Sequence, residues 1–118
     1  EVKSPDFIFI IGTEALILPA MQMGARACVS GLAITFPEIM ARLFQSIAQD
    51  KIKEATTLQQ KVLKVREIMH LTNSVTAIHA MLKMRGVNSG FPRSPILEIK
   101  PEIEREMRKA LKEQNMLG

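Results

Sequence analysis

Cys28 and Ser30 stand in the stretch ARACVSGLAITFPEIM (residues 25–40), where small residues and a hydroxyl lie just ahead of a helix that opens at Pro37. Side chains of this kind at a strand-to-helix turn raise the question of a nucleophile. A catalytic thiol needs a cationic neighbour or a helix N-terminus, together with some exposure. The only histidines, His70 and His79, lie far along the chain on segments with helical periodicity. Strand alternation puts Cys28 and Ser30 on one face and Ala27, Val29 and Gly31 on the other. Cys28 therefore reads as a buried, inert thiol.

Other chemistries find as little here. His70 and His79 are nine residues apart on separate helical segments. That is not metal-ligand spacing, and no cysteine or carboxylate completes a set, so no metal site is expected and both read as surface or interface residues. An imine-forming lysine needs a depressed pKa, hence an apolar, partly buried strand end, and no lysine of this chain sits on such a run. There is no glycine-rich phosphate loop and no dinucleotide fingerprint, so no cofactor is expected.

The elements that would position these residues come in a clear order. DFIFIIG (residues 6–12) is a continuous apolar run stopped by Gly12, which reads as a strand buried on both faces. Thr13 suits an N-cap, and residues 14–23 suit a short helix that Pro19 either kinks or delays, with Gly24 as its C′ residue. ACVSG (residues 27–31) is the second strand, which completes a minimal βαβ unit in about 25 residues. Helices follow to the end. Residues 37–49 carry Pro37 at N1, Glu38 in the first turn, and a stripe of Ile39, Met40, Leu43, Phe44 and Ile47. Residues 52–71 carry Ala55, Leu58, Val62, Val65 and Met69, and Thr72–Ser74 breaks and caps. Residues 75–85 form a third helix, residues 86–95 a loop rich in Gly and Pro, and residues 101–115 a last amphipathic helix opened by Pro101. Two parallel strands make no stable sheet alone, and both want cover on two sides. The layout reads as the tail of a larger α/β fold.

The totals set bounds. A chain of 118 residues, 47% hydrophobic and 24% charged, has the balance of one globular domain. Its apolar runs are too short to span a bilayer, and no signal-peptide pattern is present. A single cysteine fits a reducing compartment, and a cytoplasmic location is expected. The net charge of +4 is spread over helix faces with interleaved glutamates, and Tyr and Trp are absent, which argues against nucleic acid as a partner. The methionines Met21, Met23, Met40, Met69, Met81 and Met84 read as core and subunit contact.

Together these stretches are recognisable. An apolar strand ends in Gly12; Gly24-Ala25 follows twelve residues later, then CVSG, FPEIM, KIKEATTLQQKV, AIHAMLKMRGV and FPRSPI. This order resembles the C-terminal part of the dihydrodipicolinate synthase / N-acetylneuraminate lyase family, pyruvate-dependent class I aldolases on a (β/α)8 TIM barrel. The resemblance implies an α/β chain holding the last two parallel strands of that barrel. Residues 1–50 would be its last two β/α units, and residues 51–118 a helical C-terminal extension. It implies a lyase that joins or cleaves a carbon–carbon bond through a Schiff base. The substrates would be pyruvate or a related 2-oxo acid and an aldehyde, and the assembly a homotetramer. The family's imine-forming lysine, its relay tyrosine and its carboxylate-binding turn would all precede Glu1. Lys3 falls in the loop before strand seven, pointing away from the site. No catalytic residue is therefore expected in this chain, which alone should be inactive.

Within the resemblance, function belongs at the C-terminal strand ends. It implies that Gly12, Thr13 and Glu14 line the pocket for the second substrate, with Gly12 allowing close approach to the backbone. It also implies that the main-chain carbonyl of Val29 lies near the lysine, where a carbonyl dipole steadies an iminium. Ser30 faces either the pocket or the helix layer, where a small residue allows close packing. The alternative for residues 12–14 is a plain strand stop and helix cap. Ala15 stands where sialic acid lyases carry a glutamate, which argues against that substrate. Ala33-Ile34 replaces a common small residue and Asn, and His79 replaces a usual Lys. Arg93, in a loop that resembles the family's Arg-x-Pro turn, is expected to pin the extension. The rival class is a non-catalytic helical assembly or regulatory module.

Overall fold

The computed structural model describes residues 6–118; Lys3 lies outside them. The two apolar runs yield short strands, β1 (Ile10–Ile11) and β2 (Ala27–Cys28). They pair in parallel, Ile10 opposite Ala27 and Ile11 opposite Cys28. One further bond at each end extends the ladder: the Arg26 N–H donates to the Phe9 carbonyl at 3.0 Å, and the Val29 N–H to the Ile11 carbonyl at 2.9 Å. The strands are shorter than residues 6–12 and 27–31, and they are not buried on both faces. Phe7, Ile8, Phe9 and Ile10 are 51–58% exposed and Val29 is 69% exposed, while Ile11 and Cys28 pack against the core. The cause is the sheet itself: among the described residues the two strands have no neighbour on either outer edge, and the helices cover one side.

Between the strands, a 3-10 turn (Glu14–Leu16) runs into α1 (Ile17–Gln22). Thr13 caps the turn, its Oγ1 accepting the Ala15 N–H at 3.3 Å. Pro19 delays the α-helix rather than kinking it. It falls in the first turn of α1, where its missing N–H has no intrahelical partner to lose. The helix ends in a Schellman arrangement. The Ala25 N–H bonds the Ala20 carbonyl at 2.9 Å, the Gly24 N–H bonds Met21 at 3.1 Å, and Gly24 has φ +104°.

After β2 the chain forms α2 (Leu32–Thr35), which the sequence pattern does not announce, then α3 (Pro37–Ala48). Phe36 separates them, in a non-helical conformation (φ −134°, ψ 62°), as expected of a residue preceding proline. α4 (Ile52–Met69), α5 (Ser74–Met84) and α6 (Pro101–Glu113) follow. Asn73 caps α5, its Oδ1 accepting the Val75 N–H at 2.9 Å. One core cluster takes Ile17, Leu32 and Leu43 from before position 50 and Val62, Met81 and Leu111 from after it. Met40 and Met69 are also in it, whereas Met23 is 89% exposed.

The pin expected of Arg93 is made by Arg85 instead. The Arg85 guanidinium donates to the Thr35 carbonyl and to both carboxylate oxygens of Glu38, and lies 5.2 Å from the centroid of the Phe36 ring. Arg93 sits exposed on a surface loop. That loop is tied down by Thr76, whose hydroxyl donates to the Leu97 carbonyl at 2.7 Å. Among the described residues no helix is long and apolar enough to cross a membrane.

Candidate functional site

Parallel pairing brings the two strand ends side by side, so the segments that leave them, residues 12–14 and 29–31, meet although some 17 residues separate them in the chain. Gly12 and Val29 are on the open side. A Cβ placed on Gly12 would meet nothing within 4 Å, and Val29 is 69% exposed. Thr13 is half-buried, its hydroxyl occupied by the cap. These residues form a wall rather than an enclosed cavity.

Glu14 and Ser30 are brought together on the inner side. Glu14 is only 6% exposed, and the Ser30 hydroxyl donates to its Oε2 at 2.9 Å. The same Oγ accepts the Leu32 N–H at 3.1 Å, which satisfies a donor at the start of α2. The other carboxylate oxygen of Glu14 lies 3.3 Å from Nε of Arg66 on α4. That N–H is buried and not aligned for a hydrogen bond, so the contact is an ion pair in the charge sense. A buried carboxylate is costly unless paired, and Arg66 with Ser30 supplies the pairing.

Gln59, also on α4, uses its whole amide on the same segment. Its Nε2 donates to the Glu14 carbonyl at 2.9 Å and to the Ala15 carbonyl at 3.3 Å, and its Oε1 accepts the Leu18 N–H at 3.0 Å. Neither Gln59 nor Arg66 is singled out by the sequence pattern. The available signal is position: Gln59 is four residues after Ala55 and three before Val62, which sets it on the core side of α4.

Cys28 is half-buried. Burial pushes its thiol above the usual cysteine range, and the Glu14 carboxylate pushes it further the same way. That is the opposite of what activates a nucleophilic thiol. His79 places Nδ1 3.1 Å from the Ser89 Oγ, at the surface loop. Among the described residues no three metal-ligating side chains converge.

The comparisons with known proteins agree on one kinship. The dihydrodipicolinate synthetase family model matches residues 1–114. Among curated relatives, the chain is 20% identical over 113 residues to a 4-hydroxy-tetrahydrodipicolinate synthase of Archaeoglobus fulgidus, covering 96% of this chain and 39% of that protein. It is 26% identical over 112 residues to the enzyme of the same name from Methanosphaera stadtmanae, covering 95% and 38%. The chain thus spans under two-fifths of the length of these relatives. Among solved structures, a Bacillus anthracis dihydrodipicolinate synthase superposes with a TM-score of 0.87 at 25% identity, over 93% of this chain and 38% of that one. A variant of Sulfolobus solfataricus 2-keto-3-deoxygluconate aldolase does so with 0.87 at 24% identity, over 95% and 39%. The chain belongs to the dihydrodipicolinate synthetase family.

Proposed function

We propose that this chain is the C-terminal part of a (β/α)8-barrel class I aldolase, with β1 and β2 as its seventh and eighth strands, α3 as its last barrel helix and α4–α6 as its helical extension. The observation that carries this reading is a parallel strand pair set in exposed apolar chain: Ile10 of β1, Phe7–Phe9 just before it and Val29 just after β2 all stand more than half exposed. A parallel sheet is a buried structure, so this surface calls for further strands beside it. The share of the relatives' length that the chain covers, 38–39%, leaves room for six preceding β/α units.

The substrates are pyruvate or a related 2-oxo acid, together with an aldehyde. A lysine outside this chain adds to the keto carbon, and loss of water gives an iminium. Loss of a proton from the adjacent carbon gives an enamine, which attacks the aldehyde carbon; water then releases the product, and cleavage is the reverse. This chain contributes pocket wall. Gly12 admits substrate close to the backbone, Thr13 holds the turn behind it, and the Val29 carbonyl dipole favours the cationic iminium. Glu14 and Ser30 support that wall from behind. The reading includes a cytoplasmic location, consistent with a single cysteine, and a homotetrameric assembly.

The test is to treat the full-length protein with pyruvate and borohydride and weigh it. A reduced adduct on one lysine is expected, and none on the isolated 118-residue chain. Absence of any adduct on the full-length protein overturns the aldolase reading. A specific adduct on the isolated chain overturns the placement of the lysine outside it.

A further inference from the structure

Among the described residues Glu14 is the only buried charged side chain. A carboxylate meant for substrate at an open strand end would face outward, as Gly12 and Val29 do. This one faces α4. From it a continuous chain of contacts runs Arg66 Nε to Glu14 (3.3 Å), Ser30 hydroxyl to Glu14 (2.9 Å) and Leu32 N–H to Ser30 (3.1 Å). Gln59 independently holds the Glu14 and Ala15 carbonyls and the Leu18 N–H. Gln59 and Arg66 are seven residues apart, two turns of one helix, so they point from the same face of α4. One helix of the extension thus grips the segment that follows β1 directly and, through Glu14, the segment that follows β2.

We propose that Gln59 and Arg66 are positioning residues that hold residues 12–14 and 29–31 in register with each other, with Glu14 acting as the link between them rather than as a substrate contact. This rests on reading the strand ends as a pocket wall. Backbone at such a wall must be held to well under an ångström for a dipole or a close approach to count. The short β1–β2 ladder cannot supply that alone, because its hydrogen bonds end at Val29. The Arg66 ion pair fixes the side-chain link, and the Gln59 amide fixes the backbone of the turn. The two act from positions 52 and 45 residues after Glu14.

Two readouts on the full-length protein test this. The first is the pH dependence of Cys28 alkylation, followed by mass spectrometry of its peptide. Cys28 feels the Glu14 charge, so Glu14→Gln lowers its midpoint. In an Arg66→Met background the same change lowers it by less than roughly half as much, because an unheld carboxylate leaves the strand end. The second is the rate of borohydride trapping with pyruvate. Arg66→Met slows it by about tenfold, and Arg66→Lys, which keeps the charge, recovers part of the loss. Arg66→Gln replaces Arg66→Met if that variant does not fold. An equal Cys28 shift in both backgrounds overturns the link. A responsive Cys28 with unchanged trapping overturns the positioning role. No trapping in the unaltered protein means that the aldolase reading has failed, and the link is then judged on Cys28 alone.

Discussion

Arg85 is the side chain that ties the end of α5 to the α2–α3 junction, and its partner Glu38 reports on it. Hydrogen bonds from Arg85 are the main cause that holds the Glu38 carboxyl below the usual glutamate range, and Glu38 in turn pushes Arg85 up. A depressed carboxyl contributes stability that is fully present above its unfolded pKa, near 4.3, and is lost as pH falls through its folded value. Glu38 is largely exposed, so this contribution is screened. In Arg85→Ala the Glu38 titration followed by NMR should move up towards the unperturbed value, and the unaltered protein should show the lower midpoint. An unmoved midpoint would mean that the pair is not formed in solution. Residue pairs of this kind were not legible in the sequence. Glu38 could be read as a favourable first-turn carboxylate, but its partner is 47 residues away and is chosen by packing. The family resemblance pointed to Arg93 as the pin of the extension, and nothing in the local pattern marks Arg85 as the cation that reaches the start of α3.

At the scale of elements, what was legible is what a few neighbouring residues decide. Pro37 and Pro101 open α3 and α6 at N1, Asn73 caps α5, and Gly24 ends α1 with φ +104°. Gly24→Ala forces an L residue into that conformation and should cost about 1–2 kcal/mol, read from denaturant midpoints. What was not legible depends on distant chain. α2 exists because Ser30 accepts its first free N–H and Phe36 before Pro37 stops it after four residues. The junction of the 3-10 turn and α1 exists because Gln59 satisfies three backbone groups from α4. Gln59→Leu keeps the volume and strands all three in a largely buried place. The expected loss is about 2–4 kcal/mol in the full-length protein, while a polar→apolar change at exposed Gln60 should shift the midpoint by less than about 0.5 kcal/mol. Equal effects at the two positions would show that the amide bonds carry no stability.

The whole molecule combines a closed helical core with an open sheet. Leu43, Val62, Val65, Met81, Met107 and Leu111 are fully enclosed, yet Phe7–Ile10 stand 51–58% exposed. The sequence reads these apolar runs as strands wanting cover on both sides; among the described residues only one side has it. That difference makes a sharp test of the barrel reading. Ile10 is 58% exposed here, so Ile10→Asp should leave the isolated chain's denaturant midpoint within about 0.5 kcal/mol of the unaltered value. If the same position is sandwiched among further strands in the full-length protein, the change buries an unpaired carboxylate there and should cost several kcal/mol, on the order of 3–5. Amide exchange gives the same contrast without mutation: residues 9–11 and 26–29 should exchange at least about tenfold faster in the isolated chain than in the full-length protein, while the middle of α4 stays protected in both. A full-length protein that tolerates Ile10→Asp as readily as the isolated chain would mean that no strand lies against β1. The helical core would then be a self-sufficient module with a frayed edge, and the aldolase pocket would have no second wall.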